Sequence, residues 1–83
     1  MQNLEEELLA SLKDDLPIDF LEDVKDLLNN NEGTIGIENL ATQLIEYEIK
    51  LNERQIFLLR NLARNHQVDK RYLEGLIIQH KLL

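Results

Sequence analysis

The chain has 83 residues, a net charge of −7 and an apolar fraction of 43%, with Leu and Ile dominating and aromatics scarce. That length holds one hydrophobic core, so residues 1–83 are expected to form a single domain. The complete lack of cysteine excludes disulfides, Cys-based zinc sites and thiol catalysis.

Five helical stretches follow in chain order. Leu4, Leu8, Leu9 and Leu12 make one apolar stripe, and Glu5, Glu6 and Glu7 favour the start of a helix through its dipole. Asp14-Asp15-Leu16-Pro17 ends it. A second helix is expected from near Asp19, whose spacing to Glu22 is that of a capping box. Its apolar face is Phe20, Leu21, Val24, Leu27 and Leu28, which leaves Glu22, Asp23 and Asp26 outward. Asn29 to Gly33 should end it, because Asn and Gly tolerate the left-handed conformation of a C-cap.

The third helix is expected from Thr34 or Ile35 to Lys50, with Ile37, Leu40, Ala41, Leu44 and Ile45 inward. Asn52 with Gln55 resembles a cap for the fourth, whose stripe is Ile56, Leu59, Leu62 and Ala63, widened by Phe57 and Leu58. Asp69 is expected to cap the fifth, where Leu73, Leu76 and Ile77 recur. Short connections between such helices make a small all-α bundle.

Charge is unevenly spread. Residues 1–48 carry thirteen Asp/Glu against Lys13 and Lys25, a balance of −11, whereas residues 49–83 carry +4. An acidic face steers a basic partner, while phosphate binding requires a positive footprint. The N-terminal Met1 to Glu7 lacks the basic and apolar regions of a secretory leader, and the run Gly75 to Ile78 is too short to span a bilayer. A cytoplasmic location is expected.

Few residues suggest chemistry. Aligning Gly33 with the glycine of a calcium loop puts Leu28 and Asn39 where carboxylate ligands belong, so no calcium site is expected. His66 falls at the end of the fourth helix, where a cation is favourable, and His80 continues the stripe of the fifth. Neither has companions at metal-ligand spacing. No nucleophile–base pair or phosphate-binding loop is present, so no enzyme, metal or cofactor is expected. The helices on either side of residues 65–69 mimic a helix-turn-helix, but Lys70 and Arg71 alone are too little charge for docking in a DNA groove.

The most distinctive stretch is Glu38 to Ile49. Its Leu40, Ala41, Leu44 and Ile45 are explained as core, and Asn39, Gln43 and Glu46 fall on one ridge that is either solvated or a docking surface. Together with Leu21-Glu22-Asp23-Val24-Lys25-Asp26-Leu27-Leu28, the Asn/Glu/Gly turn, and Leu58-Leu59 running to Val68-Asp69, this stretch resembles the MafI-type immunity proteins of bacterial polymorphic toxin and contact-dependent growth inhibition systems. The resemblance covers Leu21 to Leu73. Thr34-Ile35-Gly36-Ile37 departs from the Tyr-Gly-x-Ala run frequent in the family, and Lys50 stands where a Pro is frequent.

The resemblance implies an inhibitor of a toxin's C-terminal nuclease domain, commonly an EndoU-like RNase. Carboxylates on a rigid helical domain would then fill a basic cleft that otherwise holds RNA. The residues expected to contribute most to this contact are Glu38, Gln43, Glu46 and Glu48, assisted by Asp23, Asp26 and Glu53. Two other readings stay open: a helical adaptor or transcriptional regulator that contacts nucleic acid through the basic C-terminal half, and a homodimer paired through Leu73 to Leu83.

Overall fold

A computed structural model describes residues 3–81, with side chains described from Asn3 to Leu76. It holds five helices: α1 (Leu4–Ser11), α2 (Ile18–Asn29), α3 (Gly33–Glu46), α4 (Glu53–Asn65) and α5 (Arg71–Lys81). No strand occurs among the described residues, and the fold is all-α. No helix in them is long and apolar enough to cross a membrane.

α3 is the hub, packed against α2, α4 and α5, while α1 lies against α2 and α4. Ile37, Leu40, Ala41 and Leu44 of α3 are completely buried, with Leu8, Leu12 and Leu58 of the surrounding elements. Burying each such Leu or Ile contributes about 1.5–3 kcal/mol by apolar area alone. Gly36 lets α2 and α3 approach, since a Cβ there would stand 3.2 Å from Leu27 Cβ and 3.4 Å from the Val24 carbonyl oxygen.

The expected cap of α4 is present in full. Asn52 Oδ1 accepts the Gln55 N–H at 2.7 Å, and Gln55 Oε1 accepts the Asn52 N–H at 3.0 Å. Gln55 is itself buried, and its amide donates to Ser11 Oγ at 3.0 Å, tying α4 to the end of α1. Asp69 Oδ1 accepts the Arg71 N–H at 2.9 Å at the start of α5.

Several boundaries differ from expectation. α2 begins at Ile18 behind Pro17, with no side-chain cap, so the Asp19–Glu22 box is not formed. Pro presets its own φ and here starts the helix without needing an Asx cap. α3 ends at Glu46 rather than Lys50, because Glu48 adopts a φ of 52° and Ile49 N–H returns to the Leu44 carbonyl at 3.0 Å. The reversal brings half-buried Ile49 and buried Leu51 onto the core.

The same device ends two other helices. Asn31 (φ 61°) and Gln67 (φ 55°) are left-handed, followed by the bonds Glu32 N–H to Leu27 carbonyl and Val68 N–H to Ala63 carbonyl. These are Schellman closures built without glycine. Gly33, expected in the cap, instead opens α3 and is buried. Phe57, expected in the α4 stripe, is 52% exposed, with the Arg54 guanidinium 5.4 Å from its ring centroid. Ile45 lies at the rim of the core, touching Gly75 of α5. Leu73 and Leu76 pack on Leu51, Ile56 and Leu59 of their own chain, so the start of α5 is committed to the core. The side chains of Ile77 and His80 lie outside those described.

Candidate partner-binding face

The buried residues of α2 are Leu21, Val24 and Leu28, which turns Asp19, Glu22, Asp23 and Asp26 outward. Spaced by three and four residues, these carboxylates form one ridge. Asp23 stands a turn before Leu27, the residue that meets Gly36, and so lies on the flank of the ridge nearest α3. Glu22 lies on the other flank and helps line a groove against α1.

On α3 the outward ridge is Ile35, Asn39, Thr42 and Glu46, all exposed. Gln43 is half-buried and sits two turns after Gly36, on the side facing α2. Glu38 is half-buried on the opposite side, two turns before Ile45, which meets α5. The expected ridge therefore holds for Asn39 and Glu46, with Gln43 turned toward the α2 carboxylates and Glu38 turned away.

Glu48 is not on α3. It occupies the left-handed position just past the C-cap, and its backbone is fixed by the closure onto Leu44 and Ile45. Glu53 opens α4 beside Ile56, Phe57 and Arg60, on another element. Of the seven residues expected at the site, Asp23 and Asp26 lie on the outward side of α2 and Gln43 and Glu46 lie on α3, while Glu48 follows the α3 C-cap, Glu38 is on the α5 side of α3 and Glu53 starts α4.

Tyr47 was not among the expected site residues. It is the C-cap of α3, 58% exposed, between exposed Glu46 and Glu48. Aromatic side chains that a fold leaves exposed and rigid are favoured anchors in interfaces. The signal in sequence was an aromatic that breaks the polar pattern at a helix end, obscured by the expectation that the helix ran on to Lys50.

Ion pairing separates the acidic residues into two groups. Glu7 takes a bidentate contact from Arg54 at 2.7 and 2.9 Å, and Glu5 Oε1 is 3.3 Å from His66 Nε2. The Arg54 hydrogen bonds hold the Glu7 carboxyl below its usual range. The Glu7–Arg54 pair compensates one charge of α1, Glu5 contacts His66, and Glu6 has no cation within salt-bridging distance among the described residues. Among the described residues no cation is within salt-bridging distance of Asp19, Glu22, Asp23, Asp26, Glu46 or Glu48.

The basic half has its own cluster. Arg60, Arg64 and Lys70 surround a shallow groove floored by Ala63, Val68 and Leu73, between α4 and the start of α5. Among the described residues no set of three His, Cys, Asp or Glu side chains is placed to hold a metal ion. No family model matches the chain, and neither a curated protein nor a solved structure is detectably similar to it.

Proposed function

We propose that this chain is an immunity protein that binds the basic nuclease domain of a companion toxin and covers its active-site cleft with the α2–α3 face. The toxin's class, an EndoU-like RNase, follows from the resemblance of Leu21 to Leu73 to MafI-type proteins. The observation that supports the reading is the set of exposed carboxylates on α2 and at the end of α3 that no cation compensates among the described residues, whereas Glu7 of α1 is paired with Arg54.

A cleft that grips phosphates is cationic and accepts carboxylates in their place. Discrimination against other toxins would come from shape and from charges left without a partner. Tyr47, between Glu46 and Glu48, supplies an apolar contact inside an acidic frame. Inhibition of this kind takes place where the toxin would act on RNA, in the cytoplasm.

The test is co-purification with the product of the adjacent reading frame, followed by Glu46→Lys with Glu48→Lys. A one-to-one complex weakened at least about tenfold by the double reversal, with helicity unchanged, supports the reading. An unaltered affinity removes this face from the interaction.

A second reading rests on Arg60, Arg64 and Lys70, whose groove contains no carboxylate. A helical regulator would contact nucleic acid there. Salt-sensitive retention of an RNA or DNA oligonucleotide, lost in Arg60→Glu with Arg64→Glu, would favour it over the toxin reading.

A further inference from the structure

We propose that the groove between α1 and α2 is the contact surface for a second copy of this chain, the two related by a two-fold axis. The floor of the groove is apolar, formed by Leu9, Ala10 and Leu21. Ile18 stands beside it at 64% exposure, the highest of any large hydrophobic side chain described.

The rim identifies the occupant. Glu6, Lys13, Glu22 and Lys25 surround the floor. Lys13 and Lys25 are the only basic residues in the first 48, and both stand at this one groove. The rim is therefore neutral within a half of the chain that carries −11. None of the four side chains forms an ion pair or hydrogen bond with another described residue.

Two molecules of net charge −7 repel each other at most orientations. In a symmetric contact, where like surface faces like, a neutral patch with an apolar floor adds no net like-charge repulsion and gains from burial. A two-fold axis matches residue i of one copy with j of the other, and j with i. In such a pair the Glu side chains of one rim can meet the Lys side chains of the opposite rim, and the Ile18 side chains can cover each other's grooves. A basic partner gains nothing from Lys13 and Lys25, and an acidic one gains nothing from Glu6 and Glu22. The arrangement buries Glu22 but leaves Asp23, Asp26 and the α3 ridge accessible.

Sedimentation equilibrium of the full chain, from micromolar to submillimolar concentration, tests the proposal. The expected result is a monomer–dimer equilibrium that Ile18→Lys weakens at least about tenfold without loss of helicity. Lys13→Glu with Lys25→Glu, and Glu6→Lys with Glu22→Lys, should each be monomeric alone and should form a heterodimer when mixed. A chain that is monomeric throughout overturns the proposal. So does a dimer indifferent to Ile18→Lys and to the charge swaps, which would place self-association on another surface such as α5.

Discussion

The imidazole of His66 lies against the backbone of Gly33, so close that a Cβ at Gly33 would fall 2.2 Å from Nδ1 and 2.4 Å from Cε1. Nε2 of the same ring meets Glu5, and the His66 carbonyl accepts the hydroxyl of Thr34. One residue thus joins the starts of α1 and α3 to the C-cap of α4.

Gly33→Ala should therefore destabilise the fold by about 1–3 kcal/mol, because the ring must leave its place and lose Glu5. In a His66→Ala background the same change should cost nothing, since Ala is the better helix former once the space is open. Urea denaturation of the four proteins checks this, with a coupling of at least about 0.5 kcal/mol expected. Strictly additive effects would show that the contact is not what excludes a side chain.

Three helices close through non-glycine residues with positive φ. Glu48→Gly and Gln67→Gly should each stabilise the chain by about 0.5–1 kcal/mol, as glycine carries no steric penalty there. Asn31→Gly should gain less, because Asn already tolerates that conformation. Thermal melts rank the three. If binding uses the Glu48 carboxylate, its glycine variant gains stability while losing affinity for the partner.

How much of this was legible in the sequence depended on the kind of signal. Apolar spacing located all five helices and most of the core, and the Asn52–Gln55 pair read correctly because capping is local. The end of α3 did not, because Glu48 carries no sign of a left-handed backbone. Only the burial of Ile49 and Leu51 by the rest of the fold imposes it. Phe57 was misplaced because α4 has more apolar residues than its inward face can take. For the candidate site, the outward carboxylates of α2 were evident, while the separation of Glu38 from Gln43 depends on which helix covers each flank of α3.

Acid should erode the fold through Glu7 and Asp69. Their partners Arg54 and Arg71 hold both carboxyls below the ordinary values of 4.5 and 3.8. A group with a depressed folded-state pKa contributes stability above its unfolded value and loses it as pH falls through the folded one. The contribution is intact at neutral pH and fades below about pH 4. The matching upward shifts of Arg54 and Arg71 would matter only at extreme alkaline pH. Denaturation midpoints against pH should flatten below that point in Glu7→Gln, and only modestly, since exposed pairs contribute little.

The cap of α4 is the most economical stability test. Asn52→Ala removes an acceptor from the Gln55 N–H and should cost about 1 kcal/mol, which Asn52→Asp largely restores. An equal loss in both variants would mean that the Asn52 amide has another role.

Tyr47→Ala should leave the melting temperature nearly unchanged, because the ring is mostly exposed, while weakening the proposed toxin complex by about tenfold or more. Surface plasmon resonance with immobilised toxin domain reads the difference, which is expected in the dissociation rate.

The decisive measurement is calorimetric titration of the companion nuclease domain with three proteins: the unaltered chain, Asp23→Lys with Asp26→Lys, and Asp14→Lys with Asp15→Lys. The last pair changes net charge equally, in the turn between α1 and α2 and off the α2–α3 face. One-to-one binding that falls at least about tenfold for the α2 pair and no more than roughly twofold for the turn pair is predicted. Equal losses for both pairs, or no heat of binding from any of the three, would contradict the account.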